Sequence, residues 1–136
     1  MSLDVKYVLM ADDLRDEITG KQTLVGVYND SMNTDQLPAQ LSQLVFRLTL
    51  NTVPSGKDSI SFELRSPTGR VVQSLSGPLF SETFQSVEPD ATAQVVMNFS
   101  PLRLDEVGEY SLVHTGGAED QTVYSFTLNK TKALKT

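Results

Sequence analysis

The run Glu106-Val107-Gly108-Glu109-Tyr110-Ser111-Leu112 decides the fold of this chain. An acidic residue two positions before a glycine and a tyrosine two positions after it are typical of the corner that leads into the penultimate strand of a two-sheet antiparallel sandwich. There the tyrosine hydroxyl bonds to backbone a few residues upstream. We therefore predict structural roles for two residues: Tyr110 has a buried ring, and Gly108 provides a backbone conformation that other residues resist.

Apolar and polar residues alternate along most of the chain. In residues 44–50, leucine or phenylalanine stands at every even position, and residues 60–64 and 124–128 repeat the pattern. A period of two is typical of strands with one face in the core and one in water. The fold class is therefore all-β, an antiparallel two-sheet β-sandwich with Greek-key connections. Eight strands are predicted, at about residues 5–11, 22–28, 44–52, 58–65, 70–76, 91–99, 108–115 and 121–129.

The length of 136 residues predicts one domain over residues 1–136, in which the basic tail 130–136 is a frayed terminus. Two connections, 29–43 and 77–90, are long, polar and contain proline. Long loops often carry binding function. A Greek key also needs long crossovers, so both interpretations stay open.

Composition excludes several classes of function. The chain has no cysteine, so it has neither disulfides nor a cysteine metal site, and a reducing, cytoplasmic location is expected. Its net charge of −6 argues against nucleic acids and against anionic membranes as partners. No apolar stretch approaches the length of a membrane span.

The residues offer little for catalysis. His114 is the only imidazole, and its strand phase with Leu112 predicts a structural role at a strand end. The chain lacks a Gly-x-Ser-x-Gly elbow, a phosphate-binding glycine loop and a His-Glu-x-x-His motif. A pair of carboxylates brought together by the fold stays open as a catalytic alternative. We expect a non-enzymatic protein without a cofactor.

Acidic residues concentrate in segments predicted to be loops. If successive strands run antiparallel, loops 12–21, 53–57, 77–90 and 116–120 share one end of the sandwich. Calcium takes about six to eight oxygen ligands, which clustered loop carboxylates can supply. The alternative is a solvated acidic rim, since no Asp-x-Asp-x-Asp-Gly loop is present. The candidate metal ligands are Asp12, Asp13, Asp16, Glu88, Asp90 and Asp120.

Three predicted strands carry apolar residues on both faces, including the one that contains Leu24, Val25 and Val27. Such a strand lies under a covering loop or at an interface between subunits. The sequence thus favours a small interaction or structural module with an unknown protein partner and a possible homodimer. A site for calcium or a small ligand at the acidic loop end is the alternative.

The N-terminal run Ala11-Asp12-Asp13-Leu14-Arg15-Asp16-Glu17, then Gly20-Lys21 and Leu24-Val25-Gly26-Val27-Tyr28, resembles a family of small uncharacterised bacterial proteins. The similarity continues to Gly108-Glu109-Tyr110 and covers nearly the whole chain. It implies a single β-sandwich domain and carries over no functional residue. The pattern also resembles an immunoglobulin-like sandwich, although Leu112 stands where a cysteine is expected and tryptophan is absent, which excludes an antibody-type domain.

Overall fold

Strands account for nearly all of the regular structure. The computed structural model describes residues 3–52, 59–78, 85–87, 93–117 and 119–131. These residues form twelve strands and no helix. The strands are β1 (Val5–Asp16), β2 (Gln22–Val27), β3 (Ser31–Thr34), β4 (Ala39–Leu41), β5 (Leu44–Leu50), β6 (Ser59–Arg65), β7 (Val71–Pro78), β8 (Gln85–Val87), β9 (Ala93–Phe99), β10 (Leu102–Leu104), β11 (Gly108–His114) and β12 (Gln121–Lys130).

The strands form two five-stranded sheets and one small sheet. Sheet A has the order β2-β1-β5-β9-β8, and all its neighbours are antiparallel. Sheet B has the order β3-β12-β11-β6-β7, in which only β3 and β12 run parallel. Strands β4 and β10 pair with each other in the small sheet. The predicted all-β class with antiparallel sheets is confirmed.

The core lies between the inner faces of sheets A and B. Phe46 of β5 is fully buried, and its ring lies 6.3 Å from Phe126 and 6.0 Å from Tyr124, both on β12 of the other sheet. One continuous cluster of buried side chains draws on both sheets and on the small sheet, through Ala39, Leu102 and Leu104. These contacts make the arrangement a sandwich, because period-two strands of both sheets turn their apolar faces inward.

All eight predicted strands are present, but four further strands lie in predicted loops. Strands β3 and β4 lie in the 29–43 connection, β8 lies in 77–90, and β10 precedes the tyrosine corner. Each has only three or four residues, which is too short for alternation to be distinguished from chance. Strand β1 also continues to Asp16, so the predicted 12–21 loop reduces to a turn at Glu17–Lys21.

The expectation that four acidic loops share one end of the sandwich is wrong. Strand β1 begins beside the start of β12, where Leu3 and Gln121 exchange two hydrogen bonds of 2.8 Å. It ends about 35–40 Å away, where Asp16 pairs with Gln22. The 12–21 and 116–120 segments therefore lie at opposite ends. Simple alternation fails because β2 and β5 are both antiparallel to β1 and so run in the same direction.

The corner that precedes β11 is built around Tyr110. Its ring is fully buried and stacks on Phe126, with centroids 5.4 Å apart. Its hydroxyl donates to the Glu106 carbonyl (2.6 Å) and accepts from the Glu106 N–H (3.1 Å). Gly108 has a φ of +125°, and a Cβ there would lie 3.0 Å from Pro67 Cγ. The backbone between Glu106 and Tyr110 is thus held by both the hydroxyl and close packing.

Replacing Tyr110 tests this corner. We expect Tyr110→Phe to lower the free energy of unfolding by about 1 kcal/mol or somewhat more, because both Glu106 backbone groups lose their partner. Tyr110→Ala should cost about 3–5 kcal/mol through loss of a buried ring. Urea denaturation measures both. Tyr7→Phe is the matched control, since Tyr7 is 44% exposed. A Tyr110→Phe protein as stable as the parent would contradict the structural role of the hydroxyl.

Candidate functional site

The predicted metal ligands on β1 each have a different partner. Asp12 accepts a hydrogen bond from the Tyr28 hydroxyl. Asp13 accepts from Gln43 Nε2 (2.9 Å) and from the Leu14 N–H (2.8 Å). The amide of Gln43, together with Arg15, holds the pKa of the Asp13 carboxyl below its usual value. Asp16 accepts from a glutamine across the hairpin at 3.4 Å. Because neighbouring strand residues face opposite sides, Asp12 and Asp13 do not converge on one point.

The other candidate ligands do not join them. Asp120 lies at the opposite end of the sandwich and pairs with Arg65 Nη2 at 2.8 Å. Glu88 and Asp90 lie outside the described residues. Within the described ranges, no group of three or more His, Asp or Glu side chains could hold a metal ion. The structure thus gives the calcium hypothesis no assembled site in that part of the chain.

Two adjoining clefts lie on the surface of the described chain. The first cleft, of about 480 Å³, is lined by Tyr28 and residues 32–41. The second cleft, of about 490 Å³, is lined by residues 40–42 and 101–103. Gln40 and Leu41 of β4 line both, so the two clefts form one continuous surface. The peptide bonds before Pro38 and Pro101, one beside each cleft, are cis.

Tyr28 lines the first cleft and is held in place by a hydrogen bond to a residue of β1. Its hydroxyl donates to Asp12. Burial, together with that carboxylate, raises the pKa of Tyr28 to about 12, so the phenol stays a neutral donor at physiological pH. Gly26 allows the close approach: it has a φ of +68°, and a Cβ there would collide with the Asp12 carboxylate. Asp12, predicted as a metal ligand, instead fixes the orientation of a cleft residue.

The second cleft is bordered by an exposed ion-pair network. Arg103 Nε donates to Asp105 (2.8 Å), and Arg70 Nη2 donates to the same carboxylate (3.1 Å). The Arg103 hydrogen bond, followed by that of Arg70, holds the pKa of Asp105 below its usual value. Beside this network, Ser100 Oγ donates to the Ser42 carbonyl (2.9 Å) and links the segment between β9 and β10 to the segment between β4 and β5.

The described lining of the two clefts is poor in reactive groups. Its only charged residues are Asp35 in the first cleft and Arg103 in the second. In the first cleft the Thr34 hydroxyl donates to the Gln36 carbonyl (2.8 Å) and not to the adjacent Asp35. Backbone, amide and aliphatic groups dominate instead. Such a lining is suited to recognising a ligand by shape and hydrogen bonding.

His114 lies far from this surface, at the other end of β11. Its side chain is fully buried, neither ring nitrogen has a hydrogen-bond partner, and its ring packs on Phe62 with centroids 5.2 Å apart. Desolvation by burial lowers the pKa of the imidazole. The surroundings thus keep the imidazole neutral, as expected of a packed strand-end residue.

Sequence patterns found only part of the cleft surface. The 29–43 connection was identified by its length, and it supplies most of the first cleft. The contribution of residues 101–103 was missed. The available signal was the short alternation Leu102-Arg103-Leu104 directly after Pro101, in which both leucines are buried.

One protein-family model matches residues 6–129 of the chain, a range that contains both clefts and the Tyr110 corner. The chain belongs to the family of unknown function DUF6941. Membership in DUF6941 agrees with the resemblance seen in the sequence and assigns no activity. No curated protein matches the chain. In the described part of this DUF6941 protein, no helix combines the length and apolarity needed to cross a bilayer.

Acid should destabilise this DUF6941 protein through its single histidine. Because burial lowers the folded-state pKa of His114, the unfolded chain binds the proton more readily. Stability should be unaffected well above the unfolded value of about 6.5 and should fall as pH drops below it, by up to about 1.4 kcal/mol per pH unit. Urea denaturation at several pH values between 5 and 8 measures this loss. In His114→Leu, which contains no histidine, the curve should be flatter; identical curves would contradict the assignment.

Proposed function

We propose that this protein is a non-enzymatic protein-interaction module and that the first and second clefts form its binding surface. The observation that carries the proposal is the continuity of the two clefts through Gln40 and Leu41, together with a lining that favours binding over catalysis. Each cleft has a volume within the usual range of ligand sites, about 300–1,000 Å³. A partner with an extended or protruding segment can engage both.

The surface is anchored to the core, which supports a role in recognition. Met32 of β3, Ala39 of β4, and Leu102 and Leu104 of β10 are all buried in the main cluster. Their neighbours on the same strands face outward, because strand residues alternate. The exposed groups are therefore positioned by packed strands, and little ordering entropy is lost when a partner binds.

The topology proposed with this function is immunoglobulin-like. The order β1-β5-β9-β8 in sheet A corresponds to strands A-B-E-D of that fold. The order β12-β11-β6-β7 in sheet B corresponds to G-F-C-C′, in the same chain order. On this assignment β2, β3, β4 and β10 are additions, and three of them lie at or beside the clefts. We propose that the protein is bacterial and cytoplasmic. The absence of cysteine supports a reducing compartment such as the cytoplasm.

Site-specific photo-crosslinking in cells tests the binding surface. A photoreactive residue at Gln40, which lines both clefts, should trap a protein partner covalently. The same residue at Val71, which is exposed on β7 and lines neither cleft, is the matched control. Adding Leu37→Asp at the rim of the first cleft should reduce the trapped product. Equal products from both positions, or none from Gln40, would exclude this surface as the binding site.

A homodimer through the outer face of sheet A is a second proposal. Val25 and Val27 of β2 are 39% and 47% exposed, and Tyr7 of β1 is 44% exposed on the same face. Val45 and Val96 lie on the same side of the neighbouring strands but are buried, so Val25, Val27 and Tyr7 supply the exposed apolar groups of this face. An apolar face of this kind on one sheet is typical of a subunit interface.

Sedimentation equilibrium at high micromolar concentration tests the homodimer. We expect a species of about twice the 15.0 kDa chain mass. Val27→Lys should give the monomer, because it places a charge on the apolar face, while Val71→Lys on β7 should leave the dimer intact. A monomer of about 15 kDa in the parent protein would remove this proposal.

A further inference from the structure

The first cleft lies on the unpaired side of two strands. Among the described residues, strand β3 is the edge of sheet B, and its only sheet neighbour is β12. Strand β4 pairs there only with β10. Residues of β3 and β4 line the first cleft, whereas none of β12 or β10 does. The cleft therefore lies along the side of each strand that has no ladder partner. Edge strands present free N–H and C=O groups on that side, which form a template for another strand.

The hydrogen-bond pattern shows which groups of β3 are free. The Asp30 carbonyl accepts from the Thr127 N–H (3.0 Å), and the Thr34 carbonyl accepts from the Thr131 N–H (2.8 Å). In a strand, backbone groups of alternate residues point in opposite directions. Even-numbered residues of β3 thus face β12, and the N–H and C=O of Ser31 and Asn33 face away from it. Asn33 lines the first cleft.

The side chains around this edge select the partner by chemistry. Asp35 is exposed, has no ion-pair or hydrogen-bond partner among the described residues, and is the only charged residue in the described lining of the first cleft. Leu37, Pro38 and Leu41 supply apolar contacts in the same cleft. The chain as a whole carries a net charge of −6. A complementary ligand is therefore an extended segment that carries lysine or arginine near apolar residues.

We propose that the first cleft binds an extended basic–apolar peptide segment of a partner protein by strand addition to β3. The inference rests on the proposed interaction function and names its partner class and binding mode. Main-chain hydrogen bonds to Ser31 and Asn33 supply affinity, as in other cases of strand addition. Asp35 and the Leu37–Pro38 edge supply specificity, because side chains of an added strand alternate between the cleft and solvent.

The experiment starts from a display library of random eight-residue peptides, selected against the full chain. Selected peptides are synthesised with a fluorophore, and binding is measured by fluorescence anisotropy. Single N-methylation at each peptide position then removes one backbone N–H at a time. Strand addition predicts a period of two: methylation at alternate positions should weaken binding about tenfold or more, and methylation between them should change it little.

Variants of the chain locate the edge. Asn33→Pro removes the free N–H of β3 and leaves the even-numbered residues paired with β12; it should weaken binding about three- to tenfold. Asn33→Ala, which loses the same side chain but keeps that N–H, is the matched control and should bind more tightly than Asn33→Pro. Asp35→Asn should weaken binding about two- to fivefold at low salt and less at high salt. Thermal melts of each variant establish that it is folded.

The outcomes separate this inference from the proposed function. If Leu37→Asp weakens binding of the selected peptides but N-methylation shows no period of two, the cleft remains a binding surface and strand addition is overturned. Peptides insensitive to Leu37→Asp, Asn33→Pro and Asp35→Asn would place binding elsewhere and overturn both. An empty selection would overturn the peptide inference and leave the crosslinking result to decide the function. If the protein is a dimer that Asn33→Pro dissociates, this edge binds a second copy of the chain, and the peptide inference is overturned.

Discussion

The hydrogen bonds between the Tyr110 hydroxyl and Glu106 are the constraint on which this end of the molecule depends. They fix the three-residue path, 105–107, from β10 into β11 while the ring occupies the core beside Phe126. Strand β10 is thereby held over the end of the sandwich, where its leucines are buried. Strand β4 pairs with β10 and carries Gln40 and Leu41, the residues common to both clefts. A side chain that lines neither cleft thus helps to position both.

The clefts exist because the chain leaves sheet A between β2 and β5. After β2 it passes Tyr28 and Asp30, adds β3 to sheet B and β4 to the small sheet, and only then enters β5. This detour leaves two short strands, each with one side that pairs with no other strand among the described residues. The excursion is held at its start by hydroxyl–carboxylate bonds, from Tyr28 to Asp12 and from Tyr124 to Asp30 (2.6 Å). These two bonds fix the place where the chain leaves sheet A.

The long strands could be predicted from the sequence, and the clefts only in part. Strands such as β5 and β6 bury alternate residues in a shared core, so their period is visible in the sequence itself. The corner was predictable because Gly108 and Tyr110 meet a local geometric requirement at fixed spacing. The short strands β3, β4 and β10 depend on partners distant in sequence. A strand of three or four residues is too short to show a period in the sequence. The predicted acidic cluster was wrong because the loop positions were derived from a simple alternation of strand direction. The crossing after β2 breaks that alternation.

The hydroxyl bonds also make the tyrosines a built-in optical reporter of the fold. The chain has four tyrosines and no tryptophan, so tyrosine dominates its near-ultraviolet absorbance. Burial raises the pKa of Tyr28, Tyr110 and Tyr124, and carboxylate partners strengthen the effect for Tyr28 and Tyr124. The stability gained from these neutral phenols is complete below their ordinary value of about 10 and is lost as pH rises through the folded-state values. Phenolate absorbance therefore rises at a higher pH in the native protein than in the unfolded chain. The disappearance of this difference marks alkaline unfolding.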